Sequence, residues 1–561
     1  MSPVRTPLSL RGCVGILLLC FLWLSQLSFS QEFQVPLKSE EIEAQDTVKQ
    51  VAVIGAGAAG SSTAYYLRKY ADYFSIPVNI TVFEQSSYVG GRSTTVNLWD
   101  DPASPIEVGA SIFVNINQNL IKAAKSFKLD LKDADSGVPR EAVHGLGVWD
   151  GSKFVFLQRN GGFYWVNVFK LLWRYGWAPI RTQNLMKSTV NKFLKMYRWP
   201  YFPFRSLSAA AMSSGLVEST WATGAEFLRE NGISEEFSRE VIQASTRVNY
   251  GQNLPLIHGL ETMVCMATDG AVSVEGGNWQ IFRSMLDASR ANVKLDTRVT
   301  TVQRNKDDTY TISHLADQKA MHKDVFEHVV VAGPVQFSNI QFSPAFEHIP
   351  DNVPYVKLHV TLFASPHKLS PKFFRLSPGA SVPETILTTL PADLDLGARR
   401  DGVGPAGFWS ISTLQKTMPP LSMRHNLTAG PHYVYKVFSP NPLDATTLSD
   451  LLDIEQIELF DNGGRNGMTA EASKTIADVS TAHISWWHEK TWNSYPYLYP
   501  RVTFEDVKLG KNMWYTSGME SFISTMETNS LAGMNVAALM LSEWASEFEI
   551  KMKSFESKVE L

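Results

Sequence analysis

Three cysteines in 561 residues leave little for disulfide architecture, and two of them, Cys13 and Cys20, fall within the first 30 positions. Beyond residue 30 only Cys265 remains, so no intramolecular disulfide forms there and stability has to come from a packed core. Cys265 lies in LETMVCMA, an apolar setting that predicts a buried, inert thiol rather than a nucleophile. The twelve histidines are scattered, with no paired CxxC and no HExxH, which excludes a metal site of familiar ligand spacing. A serine-hydrolase elbow is absent too. Charge is nearly balanced, with 51 basic against 55 acidic residues and no long basic run, so nucleic acid is not an expected partner. After residue 30 no apolar stretch is long enough to span a bilayer, and the tail EFEIKMKSFESKVEL is charged.

The N-terminus differs from the rest. Arg5 and Arg11 precede VGILLLCFLWL, and Ser28-Phe29-Ser30 offers small residues for cleavage, so residues 1–30 read as a secretory signal. An uncleaved signal anchor is the competing reading. Asn79-Ile80-Thr81 and Asn426-Leu427-Thr428 match the glycosylation sequon. Asn79 abuts a predicted strand, which makes Asn426 the better acceptor.

What the chain does have is a 44% hydrophobic fraction, enough for a large core, and a length that suits about two intertwined domains. Residues 51–67, VAVIGAGAAGSSTAYYL, read as a buried parallel strand, a glycine turn and a helix start. Gly55 permits the turn, Gly57 lets the backbone approach a pyrophosphate, and Gly60 lets the helix pack on the strand. Ala58 and Ala59 open the helix, whose amides and dipole favour a doubly charged group. A second strand, ITVFE, ends at Glu84, 24 residues past Gly60, where a ribose-binding carboxylate is expected.

The continuation QSSYVGGRSTTV carries Gly90, Gly91 and Arg92 where a nicotinamide enzyme would usually extend its sheet. EVGASIF follows at Glu107, then VKLDTRVTTV from Val293, EHVVVAGP at 327–334, and a strand around Met513 leading through Gly518 and Glu520 to a helix near Ser524. This order of segments resembles the FAD-dependent amine oxidase and desaturase superfamily. The resemblance implies phosphate contacts from Gly90, Gly91 and Arg92, a turn near the flavin ring at Gly109, Ala110 and Ser111, and an adenine contact from the Val299 backbone. It also implies a flavin-facing end at Gly518, Glu520, Met526 and Glu527. The expected cofactor is FAD, held non-covalently. The expected fold is α/β, a Rossmann-type FAD-binding domain of amine-oxidase type intertwined with a mixed α+β substrate domain. After the signal and a leader at 31–47, the flavin segments would be 48–119, 268–340 and 480–548. They would enclose a helical, aromatic-rich insert at 120–267 and a sheet-forming insert at 341–479, with a charged tail at 549–561.

In the first insert, Phe163, Tyr164, Trp165, Phe169, Leu172 and Trp173 cluster, and Phe193, Met196 and Tyr197 follow at helical spacing. They supply either a hydrocarbon slot or simply the core of a helical region. A third reading is peripheral membrane contact, because Lys170, Arg174 and Trp177 interleave charge with rings. STRVNYGQN at 245–253, VSVEGGNWQIFRSML at 272–286 and SYPYLYPR at 494–501 resemble the prenylcysteine oxidase family, also called prenylcysteine lyases. That resemblance covers essentially the whole chain after the signal. It implies a thioether oxidase that converts a farnesyl- or geranylgeranylcysteine, oxygen and water to cysteine, prenyl aldehyde and hydrogen peroxide. Arg247 and Asn249 are candidates for holding the substrate carboxylate and His258 for orienting water or substrate, with no catalytic side chain assigned. The competing functions are an amine or L-amino-acid oxidase and a secreted flavin-bearing binder without turnover. A lysosome or vacuole is the expected destination, with secretion second.

Overall fold

A computed structural model describes residues 48–134, 136–160, 171–316, 320–346, 348–425, 427–454 and 475–545. Phe163, Tyr164, Trp165, Phe169, Lys170 and Asn426 lie outside them, as do the expected signal, leader and charged tail.

In chain order, the elements that shape the site begin with β1 (Lys49–Ile54), α1 (Ala58–Phe74), β2 (Val78–Phe83) and α2 (Gln118–Ser126). A hairpin follows, β3 (His144–Trp149) and β4 (Phe154–Arg159), then α3 (Ala178–Leu194), α4 (Gln243–Tyr250), α5 (Gly259–Met266) and α6 (Trp279–Ser289). Next come β5 (Asn292–Lys294), β6 (Thr297–Arg304) and β7 (His328–Val331). The long strand β8 (Tyr355–Ser365) leads to β9 (Thr385–Thr388), β10 (Ser410–Thr417), β11 (His432–Ser439) and β12 (Trp486–Pro496). The described chain closes with β13 (Lys508–Gly510), β14 (Met513–Tyr515) and α7 (Met526–Trp544).

One sheet has the order β5-β2-β1-β7-β14-β13. Its first five strands run parallel and β13 pairs antiparallel at the edge. Taken in chain order, those five read third, second, first, fourth, fifth, the doubly wound arrangement that opens a crevice between first and fourth strands. Val51, Ala52 and Val53 are wholly buried, as a strand covered on both faces requires. Helix α1 lies against β1 because Gly60 has no side chain: a Cβ there would sit 1.9 Å from the Gly55 carbonyl oxygen. Helix α7 crosses α1 in the same manner, since a Cβ on Gly533 would meet the Ala59 carbonyl oxygen at 2.3 Å. The Ser62 hydroxyl donates to Ser530 Oγ at 2.8 Å across this crossing. Helix α7 is buried on every side from Glu527 to Leu541, as a helix packed between other elements must be.

The second large sheet has the order β12-β8-β11-β10-β9-β3-β4 and is antiparallel except where β9 runs beside β3. Its membership corrects two of the expected boundaries. Residues 486–496, assigned to the last flavin segment, pair along β8, and the hairpin at 144–159, assigned to the helical insert, extends the sheet through β9. Alternating residues such as Trp486 through Trp492 pair best where a neighbouring strand is open, whatever lies next to them in sequence. Asn79 lies inside β2, exposed, paired with Gln50 of β1, rather than beside the strand. Among the described residues no helix is long and apolar enough to cross a membrane. Trp173 and Trp177 are 82% and 68% exposed, so neither ring lines a hydrocarbon slot. Arg174, between them, is held by Glu240 at 2.6 Å and the Val155 carbonyl.

Candidate functional site

A cavity of about 1220 Å³ opens at the carboxyl ends of the parallel strands and runs on beneath the second sheet. Of the residues expected at the cofactor, Gly55, Gly57, Ala58, Ala59, Glu84, Gly90, Gly91, Arg92, Gly109, Ala110, Ser111, Glu520, Met526 and Glu527 line it. The N-terminus of α1 faces this space with no side-chain cap and no acid in its first turn. Gly57 and Gly91 confront each other there, and a Cβ on Gly91 would reach the Gly57 Cα at 3.3 Å. An uncapped helix end bordered by bare backbone fits a pyrophosphate.

Glu84 is buried at the end of β2, one carboxylate oxygen accepting from the Ala56 amide and the other from the Ser86 amide, both at 2.8 Å. Each oxygen keeps a lone pair for a hydroxyl donor. Arg92 Nη2 donates to Glu520 Oε1 at 2.6 Å, and Nη1 donates to the Ser494 carbonyl. The other Glu520 oxygen accepts from the Tyr355 hydroxyl at 3.1 Å. A carboxylate and a backbone carbonyl therefore hold the guanidinium, although phosphate contact was expected of it. The link ties the glycine turn to the loop before α7 and to β12.

Gly60 does not line the cavity and packs α1 on β1, the part expected of it. Five expectations need correction. Gly518 is a packing glycine, since a Cβ there would meet Glu505 Cβ at 2.9 Å. Val299 does not line the cavity and is buried in the cluster around Ala52 and Phe83. Glu527 reaches the wall, yet its carboxylate is taken by the Asn119 and Leu120 amides at 2.8 and 3.0 Å and by the Tyr197 hydroxyl at 2.6 Å. It caps α2, a favourable place for a buried carboxylate. Arg247 is fully buried away from the cavity. Its Nε donates to Thr388 Oγ1 at 2.9 Å, Nη1 to Asn253 Oδ1 at 2.8 Å and Nη2 to the Val403 carbonyl at 2.7 Å. With Trp409 stacked on it at 4.7 Å, it has no face left for a substrate. Burial without an acidic partner lowers its pKa to about 9. His258 is likewise buried, its Nδ1 accepting from the Glu261 amide to cap α5, and burial depresses its pKa to about 3. Of the three substrate candidates only Asn249 lines the cavity, with its amide donating to the Ser245 carbonyl at 2.9 Å.

Past the glycine-lined end the wall becomes apolar: Phe193, Leu194 and Tyr197 around the end of α3, Leu260 and Val264 from α5, Leu358 and Val360 from β8, and Phe438 from β11. Cys265 also borders this space, buried, its thiol pKa pushed up by desolvation. Among the described residues no cluster of acids, histidines and cysteines could hold a metal ion.

Where the two ends meet stands a polar group that the sequence reading left unassigned. Lys436, buried in the middle of β11, donates to the Glu107 backbone carbonyl at 2.9 Å and to Ser111 Oγ at 2.8 Å. Glu107 Oε1 accepts from the Asn278 amide at 2.6 Å, while Oε2 is buried without a partner. Asn278 Nδ2 donates to the Ala110 carbonyl at 2.9 Å, so the VEGGN turn braces the EVGA turn. Burial raises the Glu107 pKa and lowers that of Lys436. The signal for Lys436 was a lone charge within the apolar run HYVYKVF.

The profile of the family described as prenylcysteine lyase matches residues 158–552. The chain belongs to that family. A profile for an NAD(P)-binding Rossmann-like domain matches residues 53–127, where β1, α1 and β2 stand. Among relatives of this prenylcysteine lyase family member, farnesylcysteine lyase of Arabidopsis thaliana is 28% identical over 524 residues, covering 90% of each chain. Prenylcysteine oxidase 1 of Rattus norvegicus is 28% identical over 88% of this chain and 89% of its own. Among solved structures, a triple mutant of putrescine oxidase with redesigned cofactor binding superposes with a TM-score of 0.52 at 12% identity, covering 89% of this chain and all of its own. A fatty acid isomerase from P. acnes gives 0.51 at 12% identity, over 87% and 97%. These two share the fold.

Proposed function

We propose that this protein is an FAD-dependent thioether oxidase that cleaves farnesyl- or geranylgeranylcysteine. The carrying observation is the continuity of one cavity, from a glycine-lined helix end suited to a dinucleotide into a slot walled by apolar side chains. The names of the Arabidopsis and rat relatives support the substrate class. The chemistry that FAD supplies when bound is acceptance of a hydride from the prenyl carbon attached to sulfur and return of the electrons to oxygen as hydrogen peroxide. Water adds to the oxidised carbon, and loss of the sulfur as cysteine leaves the prenyl aldehyde.

The chain's own residues position and exclude. Gly55, Gly57, Gly90 and Gly91, with the first turn of α1, would hold the pyrophosphate, and Glu84 would accept from ribose hydroxyls. Gly109, Ala110 and Ser111 would border the isoalloxazine. Phe193, Leu194, Leu260, Val264 and Phe438 would sheathe the prenyl chain, which keeps bulk water from the reacting carbon. No side-chain base is needed to withdraw a hydride, so position carries most of the acceleration. Residues 1–30 would direct the chain into the secretory pathway, to a lysosome or vacuole before the extracellular space, with glycans at Asn426 before Asn79.

The test is anaerobic mixing of purified holoprotein with farnesylcysteine while flavin absorbance is followed, with an aromatic amine and an L-amino acid alongside. Bleaching by farnesylcysteine alone, followed by peroxide and aldehyde when air is admitted, is the expected result. Bleaching only by the amine or the amino acid would transfer the protein to that oxidase class.

A further inference from the structure

Among the described residues, Lys436 and Glu107 are a buried cation and a buried carboxyl on one cavity wall that feel each other's charge, yet the ammonium bonds the Glu107 backbone carbonyl and not its carboxylate. Such groups usually pair, because an isolated buried charge is expensive. Here each is anchored to backbone or hydroxyl instead and has capacity to spare. Lys436 spends two of its three donors, on the Glu107 carbonyl and Ser111 Oγ. Glu107 spends one oxygen on the Asn278 amide and leaves Oε2 unused. Ser410 and Ser412 of β10 and Lys132 also line the cavity, and Phe438 turns its ring to the Lys436 ammonium at 5.0 Å.

We propose that Lys436 and Glu107 form the subsite for the amino-acid end of the substrate, Lys436 taking the α-carboxylate and Glu107 Oε2 the α-ammonium. This rests on the thioether-oxidase reading above and supplies the recognition role that Arg247 and His258 cannot fill. A zwitterion is the ligand class that satisfies two opposed groups with a spare donor and a spare acceptor at once, and the apolar wall beyond them takes the hydrocarbon. Burial raises the Glu107 pKa and lowers that of Lys436, each partly offset by the other's charge, and the complementary groups of a zwitterion would favour the charged form of both. Free cysteine offers the same zwitterion without the apolar chain, so the product leaves more easily than the substrate binds.

The experiment pairs substrate edits with side-chain edits. Wild type, Lys436→Met, Lys436→Arg and Glu107→Gln are assayed with farnesylcysteine, its methyl ester and its N-acetyl derivative. Each KM and kcat is set beside the bound-flavin content. Dissociation constants of S-dodecylcysteine and its methyl ester, whose saturated chain lacks the allylic hydride, are read from the flavin spectrum without turnover. In wild type, esterification should weaken binding roughly 10- to 100-fold, the range of a charge-assisted contact. In Lys436→Met that ratio should fall to about 2, with the free acid brought down to the ester, while the acetyl penalty persists. Glu107→Gln should show the reverse, and Lys436→Arg should keep the ester penalty, which also serves if the methionine variant fails to fold. An ester ratio in Lys436→Met or a dodecylcysteine ratio unchanged from wild type would overturn the subsite, even where kcat drops. If wild type itself left farnesylcysteine unoxidised while S-dodecylcysteine still showed the ester ratio, the reaction would be wrong and the zwitterion subsite would stand.

Discussion

The two large sheets contribute to one cavity by different means. The parallel sheet presents backbone: Gly55, Gly57, Gly90, Gly91, Ala332 and Gly333 offer amides, carbonyls and small surfaces. The antiparallel sheet presents side chains, with Leu358, Ser410, Ser412, Lys436, Phe438 and Trp492 reaching in from four of its strands. A surface built of backbone constrains sequence tightly, because only small residues allow the approach. One built of side chains can be redrawn residue by residue on the same frame. The first is suited to an invariant cofactor and the second to substrate selection.

The sharpest test of that contrast is Gly60→Ala, whose methyl would lie 1.9 Å from the Gly55 carbonyl and 3.2 Å from Ala332 Cβ. Backbone has to move, at a cost of at least about 3 kcal/mol, and the loop that receives the pyrophosphate moves with it. Loss of bound flavin and of most soluble protein is expected. Gly510→Ala, in open space at the sheet edge, should leave both unchanged. A Gly60→Ala protein with full flavin content would show that the parallel side tolerates redrawing as well.

Next in size is Arg247→Met. The guanidinium joins α4 to β9 and to the Gly402–Val403 backbone, so its removal leaves Asn253 Oδ1 and the Val403 carbonyl without their donor and should lower stability by about 2–4 kcal/mol. Its KM for farnesylcysteine should stay within about twofold, because Arg247 does not line the cavity. Thermal melts and steady-state kinetics on one preparation separate the two. A large rise in KM without loss of stability would return Arg247 to the substrate. Glu520→Gln comes third: Arg92 loses its ionic partner, but its side chain is 37% exposed, so screening limits the loss to on the order of 1–2 kcal/mol. Weaker flavin retention in a dilution assay is the expected sign, with catalysis by the retained fraction intact.

Legibility followed the same division. The glycine turn, Glu84 and the Gly90-Gly91 pair fall on the cavity wall because backbone chemistry fixes residue type and spacing together, whereas Arg92 of the same segment is held by Glu520. Arg247 and Lys436 illustrate the reverse. Both are buried single cations, and although Lys436 stands out in an apolar run, nothing local says that one is bonded on every side while the other has a donor to spare. That depends on which strands become neighbours, and β12 joined β8 from more than 100 residues away in the chain. The EVGA and VEGGN turns were recognisable as motifs, but their junction through Asn278 was not, being set by tertiary approach.

The smallest effect is a slope, and it separates packing from function in the buried pair at the start of α5, where His258 accepts from the Glu261 amide. Burial holds Glu261 protonated up to about 8 and keeps His258 neutral down to about 3. For Glu261 the folded value lies above the unfolded one, near 4.5, so its contribution is full below 4.5 and is lost as pH rises toward 8. For His258 the folded value lies below 6.5, so its contribution is full above 6.5 and is lost as pH falls toward 3. Wild-type stability should therefore decline on both sides of a maximum between pH 4.5 and 6.5, by on the order of 1 kcal/mol per pH unit from each group. Glu261→Gln removes only the alkaline limb. Its melting temperature should match wild type near pH 5 and exceed it at pH 8, with kcat/KM for farnesylcysteine little changed. An equal offset at both pH values would mean that Glu261 is ionised in the folded protein.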